Sequence, residues 1–385
     1  MATIVRFSSQ LTASLRAVVD SAPLAELGPI ELARKLGLDK SFASRLMSAL
    51  RAGDALVALS QLPGVVPLRQ FLASAAEHRV ATRIVRKAEA SLRAFDHELE
   101  RSFGTRTRLD ALIADELPEV RRRHDDTARQ AVYRGMALVK GVSVELESFT
   151  WVVHPSRTDD KRVDILFLAA MVGVHRLRPT ARFRVGASHS RGRPKSGAKL
   201  LRKFCEPAEL SIEVSKEKDY VFYEISTGSV RRDAAANLYL TEFYRNAALR
   251  SDPAREKGIW SVGDVVAYPV QRLELILLVH REVWQGCAFT VRSYDTAGRG
   301  LVRLPDSERA VDLLSLDAHV VTTPATSEIL RTSSVPSYRE ILRHLMEPLG
   351  WKVEGSAGAT PFRKISCEIA YPLYGAQAIL VRERK

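Results

Sequence analysis

Over the first third of the chain, apolar positions recur every three or four residues, the period of a helix with one buried face. Leu11, Leu15, Val18 and Val19 form one such stripe. Leu32, Ala33 and Leu36 form a second, opened by Pro29, which suits a first helical position where its missing N–H is no loss. Gly37 follows and can take the left-handed conformation that ends a helix. Leu38 returns to the core, and Asp39 stands where a carboxylate caps the next helix. In that helix Phe42, Leu46, Ala49 and Leu50 share one face, while Ser41, Ser44, Arg45 and Ser48 share the opposite one, with Lys40 beside them. Farther on, Ile84, Ala88, Leu92, Phe95, Leu99 and Phe103 predict an amphipathic helix over 79–103, with Gly104 as its stop and Thr107 as the cap of its successor. That successor carries Leu109, Leu112, Ile113 and Val120 and is interrupted at Pro118. Asp126 to Val139 reads as a further helix.

From about residue 140 the pattern shortens to alternation. Val142–Val153, Ala181–Ala187, Leu210–Val214, Tyr220–Ser226, Cys287–Tyr294 and Ile365–Ala370 are rich in β-branched and aromatic residues and read as strands. Ile165–Val174 is apolar throughout, a buried strand or a core helix, and Leu273–Val283 is equally ambiguous. Asp295–Gly298 has turn chemistry, and Ser337–Leu349 reads as a helix stopped by Gly350. The expected fold class is multidomain α+β. Residues 1–76 form a helical unit, 77–139 a helical linker or dimerisation segment, and 140–385 a mixed α+β sensor or effector domain.

Residues Pro29–Leu50 resemble the helix-turn-helix superfamily of DNA-binding regulators. The likeness rests on Ala33, Gly37, Leu38, Ala43 and Leu46, although Ala43 is smaller than the β-branched residue common in that family. It implies that Lys40, Ser41, Ser44, Arg45 and Ser48 face the major groove, where serines approach base edges closely and arginine pairs with guanine. Ala55–Gly64 fits the strand and turn of a wing, as in MarR-like or IclR-like regulators. Val65–Ala75 reads as helix instead, which leaves the returning wing strand short or absent.

Charge shifts attention to a second segment. The chain has a formal net charge of +13. Residues 1–150 hold 22 Lys/Arg against 18 Asp/Glu, so the excess does not lie there. Between Ile165 and Cys205 stand ten Lys/Arg and no acid. The Gly186–Gly197 part is loop-like, and Arg191-Gly192-Arg193-Pro194-Lys195 resembles the core of an AT-hook. That resemblance implies minor-groove contacts from Arg191, Arg193 and Lys195.

Other chemistry is sparse. Cys205, Cys287 and Cys367 lie far apart, outside any disulfide framework or metal-ligand spacing, which fits a reducing cytoplasm. His124, beside Asp125 and Asp126, sits in a solvated charge run. No Walker loop, G-x-G-x-x-G or G-x-S-x-G occurs. The start MATIVRFSSQ lacks the pattern of a signal peptide, and the run from Ile165 to Val174 is too short to span a bilayer. No catalytic, metal or cofactor residues emerge. The leading expectation is a cytoplasmic, homodimeric transcription regulator that binds double-stranded DNA, with a C-terminal domain for a small-molecule effector or a partner. Two alternatives stand beside it. One is a nucleic-acid-associated, defence-type protein that uses the basic 176–203 segment. The other is a methyltransferase-like enzyme whose winged-helix-like N-terminus only dimerises.

Overall fold

The computed structural model describes residues 2–22, 24–178, 180–186, 199–208, 212–217, 220–225, 235–250, 260–304, 306–326, 329, 333–353 and 360–384. It divides into two compact units, Met1–Thr127 and Ala128–Lys385.

The first unit is helical. Its elements are α1 (Ala2–Val19), α2 (Pro29–Leu36), α3 (Lys40–Arg51), α4 (Ala55–Gln61), α5 (Val65–Glu77), α6 (Thr82–Phe103) and α7 (Arg106–Glu116). The apolar stripes read from the sequence are its core: Leu11, Leu15, Leu32, Leu46, Phe95 and Ile113 all belong to one buried cluster. Helices α6 and α7 contribute to that cluster alongside α1–α5. Three local expectations need correction. Ala55–Gln61 is an α-helix and not a wing strand. Asp54 explains the difference, because its carboxylate accepts the N–H groups of Leu56 and Val57 and so nucleates a helical turn. Residue Thr105, and not Thr107, caps α7, accepting from the Arg108 N–H at 3.3 Å. Pro118 opens a new helix, α8 (Pro118–Lys140), after α7 has ended at Glu116. Among the described residues no single helix is long and apolar enough to cross a membrane.

The second unit is a mixed α+β structure built on a large sheet. Its strands are β1 (Val142–Pro155), β2 (Arg162–Arg176), β3 (Phe183–Gly186), β4 (Lys199–Leu200), β5 (Ile212–Glu217), β6 (Tyr220–Ile225), β7 (Ala236–Leu249), β8 (Ser261–Val265), β9 (Val270–His280), β10 (Cys287–Asp295), β11 (Leu313–Leu314), β12 (Val321–Thr323), β13 (Phe362–Ala370) and β14 (Ala376–Arg384). Helix α9 (Tyr338–Met346) joins them, and the unit also takes in α8 from Ala128 onward. The strand order is β12-β13-β9-β1-β2-β7-β4 in the largest sheet, β11-β10-β14-β8 in the second and β3-β6-β5 in the third. Strands β1 and β9 run parallel, and the other pairings are antiparallel. Both ambiguous apolar runs are strands: Ile165–Val174 lies in β2 and Leu273–His280 in β9. They are buried on both faces, which is why they lack alternation.

Register puts Glu147, Phe149 and Trp151 of β1 on one face, with Glu242 of β7 following Trp151 across Phe167. The opposite face carries Thr150 and Glu274. There the buried Tyr338 of α9 bonds Thr150 at 2.9 Å, and the Ser333 hydroxyl donates to Glu274 at 3.1 Å. Trp351, after α9, stacks on His154 with centroids 4.6 Å apart. At Gly263 of β8 an added Cβ would collide with the Ala378 carbonyl, so only glycine lets β8 pair so closely with β14.

Glu147 is the unusual member of this core. It is 2% exposed, and its Oε2 has no hydrogen-bond partner among the described residues. Burial first, and the charge of Asp264 second, push its carboxyl from 4.5 up to about 8. The folded protein therefore holds a proton there that the unfolded chain releases near pH 4.5. Stability from this group is fully present at the acid end, falls as pH rises through that window and levels off above about 8. The half-buried His280, held down to about 4, acts in the opposite sense below pH 6.5. Between pH 6.5 and 8 the wild-type protein is thus expected to lose up to about 1.4 kcal/mol per pH unit, and Glu147→Gln to show a flatter profile. All four tryptophans lie between Trp151 and Trp351, so fluorescence during urea unfolding reads this unit alone. Parallel pH profiles for the two proteins would exclude a protonated Glu147.

Candidate nucleic-acid interface

Helices α2 and α3 are joined by Gly37, Leu38 and Asp39. Gly37 has φ 63°, and the N–H of Leu38 returns to the Ala33 carbonyl at 2.9 Å. The Ser74 hydroxyl of α5 donates to the Leu36 carbonyl at 2.7 Å, satisfying one of the last carbonyls of α2. At the start of α3 the Asp39 carboxylate accepts from the N–H groups of Ser41, at 2.7 Å, and Phe42, at 3.3 Å. Phe42, Ala43, Leu46, Ala49 and Leu50 are buried, and Phe42 meets Phe71 of α5 with centroids 6.0 Å apart. The inner face of α3 is therefore fixed by packing, and its outer face is carried on a rigid support.

That outer face contains the residues the sequence pointed to. Lys40, Ser41, Ser44, Arg45 and Ser48 are all exposed. Ser41 differs from the rest. Its hydroxyl and N–H are both drawn to Asp39, and these bonds, the hydroxyl's first, hold the Asp39 carboxyl below its usual range. Ser41 thus acts in the helix cap, which leaves Ser44, Arg45 and Ser48 as the free polar row. The Asp39 cap was legible in the sequence, whereas the diversion of Ser41 depends on side-chain geometry two residues on.

The charges are sorted in the same way. Glu31 accepts from the Gly28 N–H at 3.1 Å and closes the start of α2. Both acids of this helix pair are thus tied to backbone N–H groups. Arg34, Lys40, Arg45 and Arg51 have no hydrogen-bond or ion-pair partner among the described residues. Two of these, Arg34 on α2 and Arg51 on α3, were not among the expected site residues, although Arg51, three residues after Ser48, could have been signalled by its spacing. Where a wing was expected, the turn into α5 forms the wall of a groove of about 290 Å³ that runs past Ser41 and Arg45 to Pro63, Pro67 and Gln70.

The basic segment of the second unit is arranged differently. Arg191, Arg193 and Lys195 lie outside the described residues. The cations around them are largely engaged by their own unit. The Arg178 guanidinium donates to the Val139 carbonyl, Arg182 lies 3.5 Å from Glu224, and Arg184 sits 3.7 Å over the Phe222 ring and donates to Ser215. This unit also has a cavity of about 560 Å³ lined by Arg292, Tyr294, Leu304, Asp306, Leu313 and Leu316, among others. Arg292 is held there by Glu383 at 2.8 Å. No group of three or more His, Cys, Asp or Glu among the described residues is arranged to hold a metal ion.

No family model, curated protein or solved structure matches the chain.

The left-handed turn carries a direct test. An added Cβ at Gly37 meets nothing within 4 Å, so any penalty there comes from the backbone alone. Gly37→Ala is expected to lower the stability of the helical unit by about 1 kcal/mol, and Gly37→Asn by less. Urea unfolding followed by far-UV circular dichroism reads both. A stability unchanged by alanine would remove the left-handed turn from the account of α2 and α3.

Proposed function

We propose that this protein is a DNA-binding transcription regulator whose helix α3 reads the major groove. The observation that carries the reading is the outer face of α3: exposed Ser44, Arg45 and Ser48 in one row, flanked by unpaired Lys40 and Arg51, on a helix whose other face is buried. Twelve residues make a rod of about 18 Å, long enough to cross several base pairs. Small hydroxyl side chains let the backbone come close, and arginine supplies the bidentate donor that distinguishes guanine. Lys40 and Arg51, at the two ends, fall where phosphates flank a helix laid in the groove.

The rest of the regulator is read from the same principles. The cavity beside Arg292 and Leu313 is the place for a small-molecule effector or a partner segment, since its volume is that of ordinary ligand sites. A second copy of the chain is the expected partner, because paired half-sites need two recognition helices. Helix α8 offers exposed Val132, Leu138 and Val139 for such a contact. The alternative that rests on the basic 176–203 segment draws less support, because its described arginines bond their own unit.

The double variant Ser44→Ala with Arg45→Ala separates the readings. Fluorescence anisotropy with duplex DNA from upstream of the protein's own gene, against scrambled competitor, measures discrimination. The wild type is expected to prefer the upstream duplex. The variant is expected to lose about 1–3 kcal/mol of that preference while keeping weak, salt-sensitive binding. Discrimination that survives the double substitution would refute α3 as the reading element.

A further inference from the structure

Helix α6 carries a second cationic face, and no acid among the described residues is paired with it. Arg83, Arg86, Lys87 and Arg93 are exposed, and at 3.6 residues per turn they fall within an arc of about 120°. Arg79, in the turn before the helix, is a fifth exposed cation. None of these five side chains has a hydrogen-bond or ion-pair partner among the described residues. The other positions in the arc are Ala90, Ala94, His97 and, in the last turn, Arg101, which is paired with Glu98. The half-buried Glu89 lies beyond its edge.

Three other arginines of the unit do have acidic partners. Arg69 reaches Asp96 at 2.6 Å, Arg101 reaches Glu98 at 2.7 Å, and Arg106 reaches Asp110 at 2.8 Å. Where an acid was useful to the fold, one is present. The stripe also works against its own helix. Cations at the N-terminal end of α6 oppose the helix dipole, the first turn has no acid, and Ala81 gives no side-chain cap. Arg83 and Lys87 add a like-charge pair at i,i+4. A charge arrangement that opposes its own helix gains from an external polyanion.

We propose that the exposed face of α6 is a second DNA-contacting surface, which binds the phosphate backbone without regard to sequence. From Arg83 to Arg93 the row extends about 15 Å, a length that spans several phosphates of one strand at 3.4 Å of axis each. An anionic membrane fits the stripe less well. Interfacial helices insert large apolar side chains beside their cations, and α6 has no large hydrophobic residue among the exposed ones. The proposal shares its partner class with the α3 reading but does not depend on α3 discriminating bases.

The triple variant Arg83→Gln, Arg86→Gln, Lys87→Gln tests it in the full-length protein. Glutamine is a good helix former, so circular dichroism and the melting midpoint are expected to be unchanged or slightly raised. Binding to a scrambled duplex is measured across a salt series, alongside vesicles of phosphatidylserine and phosphatidylcholine. The expected result is a drop in duplex affinity on the order of a hundredfold at 0.1 M salt, with the slope of log K against log salt shallower by about 2 to 3. Wild-type affinity and slope in the folded variant would overturn the proposal, and the Ser44/Arg45 result would be untouched by that failure. Salt-sensitive binding lost in the triple variant, in a wild type that does not discriminate sequence, would support α6 while removing the α3 reading. Absence of wild-type duplex binding at low salt would overturn both. So would vesicle binding that depends on the stripe without any duplex binding.

Discussion

Strand β1 is covered on both faces, and the rest of the C-terminal unit follows from that enclosure. A strand buried on both sides cannot leave a polar group to water, so most are bonded or made neutral, the Ser148 hydroxyl being without a partner among the described residues. Thr150 is met by Tyr338, which brings the polar end of α9 onto the sheet. Across the parallel pairing, Glu274 of β9 takes the Ser333 hydroxyl. On the other face Glu147 finds no donor among the described residues and is kept protonated instead, its carboxyl raised by burial and by the partly buried Asp264. Glu242 of β7, farther along the same face, is held by the Tyr244 hydroxyl at 2.5 Å. The sheet, its helix and its second layer are thus tied by polar contacts that only one register allows. A slip of one residue in β1 would exchange the faces and strand these groups together.

The helical unit answers a different constraint. Its core is made by apolar stripes that many registers of packing would tolerate, so orientation is fixed at helix ends. Gly37 and Asp39 set the angle between α2 and α3, Asp54 turns the chain into α4, and Thr105 starts α7. These ends use acids and hydroxyls as caps. The arginines on the exposed faces of α3 and the first half of α6 are thereby left without acidic partners. The electrostatic character of the surface is a consequence of where the acids are needed for folding, as well as of where the cations stand.

How much of this the sequence disclosed follows from the same physics. The helices over 11–19, 29–51 and 82–103 were legible because one buried face imposes a period. The strand over 165–174 was not, because burial on both faces erases alternation, and β7 escaped because Glu242, Asn246 and Arg245 interrupt its apolar positions. Ala55–Gln61 is too short for period to decide between helix and strand, and the signal that does decide, Asp54, lies outside the run. The exposure of Lys40, Ser41, Ser44, Arg45 and Ser48 was readable from spacing, whereas the diversion of Ser41 to the cap is a matter of rotamer. The groove beside Arg45 was invisible, since it exists only because α4 and α5 replace a wing.

A cationic stripe obeys the same arithmetic as an apolar one, and reading α6 for its apolar face alone conceals it. Arg83, Arg86 and Lys87 repeat at i, i+3 and i+4, the spacing that would denote a core if the side chains were leucines. For apolar residues the pattern implies a partner, because exposed hydrocarbon is costly in water. Exposed charge carries no such penalty, so spacing alone implies nothing. What gives the α6 row meaning is the lack of an ion pair to any described acid and the opposition of its first cations to the helix dipole, two features that leave the row uncompensated as it stands. Function becomes readable here from the interaction the fold leaves unmade.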